Sequence, residues 1–226
     1  MCVVAGDPTS DDMFDIAIHT SGISAVQARV DGAHRIALER DTLTGDWVGQ
    51  VPTGSRYVIA TEIDRLALDP RATEVWFPHG HSRALNKGVG AVDGATFPRA
   101  VAAPWPAPRP QRRTSRPLIV YEAHVRGLTK RRARPDAGTF RAAIGELPRL
   151  AELGVSVLEL LPVHQYDPDE GNYWGYMPLV FGAVHRQYAA GDRPAEELAE
   201  LIDAAHDHDI EVWLDVVVNH TTEADP

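Results

Sequence analysis

Hydrophobic and polar residues follow two different periods along this chain, and the period changes near its middle. In the first part, short segments alternate between apolar and polar side chains, most clearly at 14–20 and 26–32. Alternation with a period of two is typical of half-buried strands. Turn signals such as Asp-Gly recur between these segments at the intervals of a β-sandwich. Residues 1–97 are therefore predicted to form an all-β sandwich.

Residues 98–116 separate the two parts of the chain. This stretch is dense in Pro and Arg and has no hydrophobic period. Proline fixes φ and removes a backbone donor, so the stretch is predicted to be an extended linker.

From residue 117 onwards the pattern predicts strands and helices in alternation. Nearly continuous apolar segments at 118–125, 155–163 and 210–218 are typical of buried parallel strands. Between the first two, helical spacing begins after Thr139, a predicted N-cap, and Pro148 is expected to interrupt the helix.

A last helix is predicted to open at Pro194 and to bury Leu198, Leu201 and Ala205. The resulting β-α-β-α-β order implies a parallel sheet, in either an open doubly wound fold or a closed (β/α)₈ barrel. No glycine-rich phosphate loop follows a strand, which disfavours dinucleotide binding.

Composition indicates which partners are excluded and which cellular compartment is favoured. The 226 residues carry a net charge of −10, and a phosphate backbone needs a basic surface, so no nucleic-acid partner is predicted. The single cysteine, Cys2, cannot form an intrachain disulfide and favours a reducing compartment, the cytoplasm. No segment has the order of a signal peptide or the apolar length of a membrane span, so no membrane partner is predicted.

Several polar groups are given structural interpretations. Glu122 and His124 lie two apart on one predicted strand and are expected to form a buried hydrogen-bonded pair. Two histidine pairs have a metal-like spacing but lack a third ligand, so no metal is predicted at His79 with His81 or at His206 with His208. An acidic segment is predicted to be a solvated turn and comprises Asp167, Asp169 and Glu170.

Four segments together resemble one enzyme family. They are VYEAHVRGLT at 120–129, LPRLAELGVSVLELLPVH at 147–164, NYWGYMPLVF at 172–181 and EVWLDVVVNH at 211–220. In this order and spacing they resemble the α-amylase superfamily of glycoside hydrolases, and within it isoamylases and glycogen debranching enzymes. In the first part, LDPRA at 68–72 resembles the starch-binding-type sandwich that precedes the barrel in such enzymes.

The resemblance implies a (β/α)₈ barrel of which residues 117–226 form the first three β/α units. It implies a retaining hydrolase acting on α-1,6 branch linkages of glycogen, amylopectin or branched maltodextrin. The nucleophile, the acid/base and a third carboxylate are expected beyond residue 226. No catalytic residue is therefore assigned within the chain, and the 226 residues alone are predicted to be inactive.

Within the chain, the resemblance implies that four residues form part of a substrate-binding site. Tyr176 matches an aromatic residue that stacks on the glucose at the cleavage point, and His220 matches a histidine that hydrogen-bonds the same sugar. Asp215 matches an aspartate lining the site, and Trp174 agrees with the isoamylase side of the family. Asn219 matches a calcium ligand of many α-amylases, so calcium stays a weak candidate and no other cofactor is predicted.

Other functions and simpler interpretations stay open at this point. A related branching or trehalose-releasing enzyme would carry a similar first strand. A non-catalytic glucan-binding protein would use the sandwich alone. Asp215 could pair with an arginine, and Tyr176 and Trp174 could be core aromatics.

Overall fold

The computed structural model describes residues 12–20, 22–31, 34–62, 65–79, 97–107, 117–169 and 173–220. The chain divides into two compact units, one of residues 1–84 with 89–104 and one of residues 85–88 with 105–226. Each unit is described by itself.

The described strands of the first unit pair antiparallel in two sheets. The strands are β1 (Met13–Ile18), β2 (Val26–Val30), β3 (His34–Ala37), β4 (Glu39–Arg40), β5 (Trp47–Pro52), β6 (Arg56–Thr61), β7 (Leu66–Ala67), β8 (Glu74–Trp76) and β9 (Arg99–Val101). One sheet has the order β1-β5-β4, and the other has the order β3-β2-β6-β9-β8 with β7 also paired to β6. Alternate residues of β2, namely Val26, Ala28 and Val30, are buried, as the period of two predicts.

The boundary between the two parts differs from the predicted linker at 98–116. Arg99–Val101 forms β9 and pairs with β6 and β8, so the first unit extends past residue 97. Ala100 is fully buried there. Pro98 and Pro104 flank the strand rather than interrupt it, so the amides of 99–101 are available to the sheet. Residues 108–116 of the predicted linker lie outside the described residues.

The second unit alternates strands and helices. Its elements are β10 (Val120–Ala123), α1 (Val125–Thr129), α2 (Phe140–Ile144), α3 (Leu147–Glu152), β11 (Val157–Leu160), β12 (His164–Gln165), β13 (Val180–Val184), a 3₁₀ helix (Arg186–Tyr188), α4 (Pro194–Asp207) and β14 (Glu211–Leu214). β10, β11 and β14 form a parallel sheet in that order, while β12 and β13 form an antiparallel pair. The predicted order is present, but each predicted strand is shorter than its apolar segment. The last strand ends at Leu214 rather than at Val218.

Local signals set the helix ends where the sequence predicts them. The Thr139 hydroxyl oxygen accepts a hydrogen bond from the Ala142 amide over 3.2 Å and caps α2. α2 ends at Ile144, and Pro148 lies in the first turn of α3. Asp209, with φ of +55°, reverses the chain in the left-handed conformation after α4.

The two faces of the parallel sheet carry different side chains near the C-terminal ends of its strands. Tyr121, Leu158 and Val212 are neighbours in register and pack against the helical core, which includes Leu147, Leu150 and Leu201. Strand alternation places Glu122, Glu159 and Trp213 on the opposite face, also neighbours in register. Glu122 and Glu159 therefore lie side by side on the face of the sheet away from the helices.

Among the described residues, no helix has the length and apolar character needed to cross a lipid bilayer.

Candidate functional site

Tyr176 and Asp215 meet beyond the C-terminal ends of the parallel strands. Asp215 follows β14 directly, and its amide donates to the Leu160 carbonyl over 2.9 Å, which fixes it at that edge of the sheet. The Tyr176 hydroxyl donates to Oδ2 of Asp215 over 2.6 Å. The partner of Asp215 is thus a tyrosine rather than the arginine that the structural interpretation allowed. A hydrogen bond to a carboxylate at this distance is strong, so the two side chains act as one unit.

His220 lies against the same tyrosine. Its Nε2 is 2.8 Å from the Tyr176 carbonyl oxygen, and its Nδ1 is 3.0 Å from Nδ2 of Asn219. A carbonyl only accepts, so Nε2 carries the proton and Nδ1 accepts from the Asn219 amide. The structure therefore brings Tyr176, Asp215 and His220 together. Both ring nitrogens of His220 are engaged, so a ligand hydroxyl would have to replace one of these partners.

Negative charge surrounds the Tyr176 hydroxyl. The hydrogen bond to Asp215, then partial burial, then the charges of Asp215, Glu122 and Glu159 raise the pKa of Tyr176 to about 12. The hydroxyl stays protonated at neutral pH and serves as a donor to Asp215. The nearby carboxylates are acceptors and suit a ligand rich in hydroxyl donors.

Trp174 and Tyr176 are separated by a turn that requires glycine. Gly175 has φ of +85°, and a Cβ added there would lie 2.7 Å from the Pro162 carbonyl oxygen. The turn leaves Trp174 47% exposed, so this ring is not a core aromatic. The Trp174 ring instead stacks on the Tyr173 ring, with centroids 5.0 Å apart and planes inclined by 27°.

The predicted Glu122–His124 pair is wrong. Glu122 is exposed, while His124 is buried with Nε2 2.6 Å from the Tyr173 carbonyl oxygen. The strand ends at Ala123, and His124 becomes the N-cap of α1, where its Nδ1 accepts from the Gly127 amide. Strand alternation therefore stops before His124, and the two side chains no longer share a face.

The predicted solvated turn at 167–170 is wrong for its first residue. Asp167 is fully buried, and its Oδ1 accepts from the Asp169 amide over 2.9 Å. Asp169 is exposed as predicted, and Glu170 lies outside the described residues. The Asp167 side chain thus closes its own turn, the Asx-turn role that is common for Asp in loops.

Within the described residues, no group of three or more His, Cys, Asp or Glu side chains is placed to hold a metal ion. His79 is exposed, and its predicted companion His81 lies outside the described residues. His206 and His208 lie at the end of α4 and just after it. The Asn219 amide nitrogen is directed to His220.

An aromatic cluster behind Tyr173 was not predicted from the sequence. Tyr166 stacks on the fully buried His185 ring, with centroids 3.7 Å apart and planes inclined by 5°. Burial lowers the pKa of His185 to about 3, so its ring is neutral. Tyr188 is also buried and contacts the rings of His124 and His185 edge-on. These residues have no common spacing along the chain, and only the fold collects them.

Comparison with known families identifies the class. The family described as "Alpha amylase, catalytic domain" matches residues 87–225. The chain belongs to the α-amylase family, which confirms the resemblance seen in the four segments. Its fold is an α-amylase-family fold with parallel and antiparallel sheets.

Within that family, the chain is similar to curated proteins named glycogen debranching enzyme and isoamylase. The chain is 32% identical over 248 residues to a glycogen debranching enzyme of Dickeya chrysanthemi, covering 93% of this chain and 38% of that protein. It is 39% identical over 124 residues to an isoamylase of a Flavobacterium species, covering 48% of this chain and 16% of that enzyme. The chain thus spans well under half the length of the curated relatives it matches.

Solved structures show the same fold. A product complex of SpuA, a multi-modular glycogen-degrading pneumococcal virulence factor, is similar with a TM-score of 0.76 at 24% identity, covering 93% of this chain and 26% of that one. The pullulanase SAP of Group B Streptococcus in complex with maltotetraose is similar with a TM-score of 0.73 at 23% identity. The match covers 95% of this chain and 33% of that one.

Proposed function

We propose that this chain is part of a debranching hydrolase that cleaves α-1,6 linkages of glycogen, amylopectin or branched maltodextrin with retention. The observation that carries the proposal is the Tyr176–Asp215–His220 group at the C-terminal edge of a parallel sheet. That edge is where barrel enzymes bind substrate. The likeness to proteins named glycogen debranching enzyme and isoamylase selects this reaction within the family.

The proposed architecture assigns a role to each unit. The two antiparallel sheets of the first unit would form a starch-binding-like sandwich. The parallel sheet β10-β11-β14 with its helices would be the first three β/α units of a (β/α)₈ barrel. The single cysteine favours the cytoplasm as the compartment.

In this proposal, the described residues hold one glucose unit of the substrate. The Tyr176 ring would stack on the apolar face of the sugar, since a pyranose exposes C–H groups on its faces and hydroxyls on its rim. Glu122 and Glu159 would accept hydrogen bonds from rim hydroxyls. His220 would bind a further hydroxyl once it exchanges one of its protein partners. Asp215 would hold the Tyr176 hydroxyl and thereby orient the stacking ring.

Bond cleavage would depend on residues outside this sequence. A retaining glycosidase needs a nucleophile and an acid/base about 5 Å apart on opposite sides of the bond. Asp215 is committed to Tyr176 and is assigned to positioning rather than to attack on the sugar.

The test is to express the full reading frame that contains this chain and to assay it on branched and linear glucans. We expect reducing ends to be released from glycogen and branched maltodextrin but not from amylose, with the α-anomer formed first in a proton NMR time course. The 226-residue chain alone is the control and is expected to release none.

Each contrary result identifies a different function. Chain transfer without net reducing ends would indicate a branching enzyme. Free trehalose would indicate a trehalose-releasing hydrolase. Glucan binding without any turnover would indicate a binding protein. Any of these three results would overturn the proposal.

A further inference from the structure

Two neighbouring aromatic rings form an exposed surface next to the proposed glucose site. Tyr173 is 45% exposed and Trp174 is 47% exposed, and the two rings stack on each other. Contiguous exposed apolar surface, unlike single scattered apolar residues, marks binding sites on soluble proteins. The Gly175 turn separates this pair from Tyr176 by a single residue, so both surfaces belong to one loop.

Hydrogen bonds hold the backbone of this loop from behind. Three donors surround the Tyr173 carbonyl oxygen: Nε2 of His124 at 2.6 Å and the hydroxyls of Tyr166 and Tyr188, each at 3.3 Å. The His124 ring also meets the Tyr173 ring edge-on at 4.6 Å and the Trp174 ring at 6.2 Å. The backbone and the rear edges of both rings are thus fixed.

The three donors are themselves anchored in separate parts of the unit. His124 is the N-cap of α1, and its Nδ1 accepts from the Gly127 amide over 3.1 Å. Tyr188 is buried in the 3₁₀ helix against the ring of Phe140. Tyr166 stacks on His185. A surface fixed in this way loses little conformational entropy when a ligand binds.

We propose that Tyr173 and Trp174 form a second sugar-binding platform, which takes another glucosyl unit of the α-glucan chain held at Tyr176. His124, Tyr166 and Tyr188 are its positioning residues, acting through the Tyr173 carbonyl. This inference rests on the proposed glucan function. The flat, half-exposed rings match the apolar face of a pyranose, and their rigidity preorganises them for it.

The binding test uses maltoheptaose, a linear probe with no branch linkage, and the protein of the full reading frame. Calorimetry is expected to show about a tenfold increase in Kd for Trp174→Ala, the loss typical of one stacking contact. Trp174→Phe keeps a ring, so its Kd is expected to stay within about threefold of the parent value. Trp105→Ala is the matched control for removal of an exposed tryptophan, since Trp105 is 51% exposed, and it should leave Kd unchanged.

The positioning role is tested with Tyr188→Phe. We expect KM for glycogen to rise about threefold with kcat unchanged, because one donor to the Tyr173 carbonyl is lost while the chemistry is not touched. Tyr57→Phe also removes a buried tyrosine hydroxyl, but in the first unit, and is expected to lower stability without raising KM.

Failure of the platform and failure of the proposed function give different results. If glycogen is debranched but Trp174→Ala keeps the parent Kd and KM, the proposed sugar-binding platform is overturned and the proposed debranching function is supported. If Trp174→Ala loses maltoheptaose binding but the parent releases no branches, the platform stands and the reaction is wrong. If Tyr188→Phe lowers kcat and leaves KM unchanged, the positioning role is overturned.

Discussion

Tyr176 is the side chain on which the candidate site depends most. Its hydroxyl donates to Asp215, its carbonyl accepts from His220, and its side chain is half-buried. The bond to Asp215 joins residues that are 39 positions apart. No periodicity in the sequence predicts that bond. Only the family resemblance placed the two residues in one site.

The first prediction concerns the ionisation of Tyr176. Its folded-state pKa of about 12 lies above the ordinary value of 10.0, so the folded protein holds this proton more tightly than the unfolded chain does. Stability from the bond to Asp215 is therefore complete below about pH 10 and is lost as pH rises through about 12. Asp215→Asn should bring the pKa of Tyr176 down towards 10, as measured by ultraviolet difference titration of phenolate.

The chain has six tyrosines, and Tyr176→Phe is the control that shows which part of the phenolate signal comes from Tyr176. The difference between parent and variant curves isolates the residue. An unchanged midpoint in Asp215→Asn would show that the carboxylate does not hold the hydroxyl.

The second prediction concerns a buried pair in the first unit. Tyr57 is fully buried and donates to Oδ2 of Asp69 over 2.6 Å. Burial raises the pKa of Asp69, and the tyrosine hydroxyl opposes that rise. Tyr57→Phe should therefore cost about 1 to 3 kcal/mol of unfolding free energy at pH 7, measured with urea.

The cost of Tyr57→Phe should shrink as pH falls through the folded-state pKa of Asp69, which burial holds above its ordinary value, because a protonated Asp69 no longer presents a charged acceptor to the Tyr57 hydroxyl. A cost that is independent of pH would mean that Asp69 is not the partner whose charge matters.

Secondary-structure elements were predictable where their signals are local. Thr139, Pro148 and Pro194 act on their own turns, and the helices begin at or beside them. Pairing of strands is not local. Ala100 lies in a proline-rich stretch yet is buried in a sheet, and the apolar run after Leu214 continues outside any strand. The sequence shows which segments are apolar, but it does not show which other strands they pair with.

The third prediction concerns the end of α4. Asp209 adopts a left-handed backbone that favours glycine, so Asp209→Gly should raise the unfolding free energy by on the order of 1 kcal/mol. Asp207→Gly is the matched control, because Asp207 is still inside the helix and glycine there should lower the unfolding free energy by roughly 0.3 kcal/mol. Equal effects of the two changes in urea unfolding would contradict the conformational argument.

The parallel sheet of the second unit has two open edges among the described strands. β10 and β14 each pair only with β11 among the described strands. Exposed apolar side chains cluster beside them, namely Leu118, Ile119, Val120, Trp213, Leu214, Val216 and Val218. Open strand edges next to apolar surface promote association with other chains.

The fourth prediction follows from these edges. The 226-residue chain expressed alone should aggregate, or elute as an oligomer in size-exclusion chromatography, unless further strands cover the sheet. A monomer with a sharp, reversible thermal transition would contradict this expectation.

The proposed site requires Tyr176 and His220 to hold one glucose unit of an α-glucan. A crystal structure of the protein from the full reading frame, soaked with maltoheptaose, tests it most directly. We expect a glucosyl ring within about 4 Å of the Tyr176 ring face and a sugar hydroxyl within about 3.2 Å of a His220 ring nitrogen. Maltoheptaose bound only elsewhere, with Tyr176 and His220 still joined to each other and free of sugar, would contradict it.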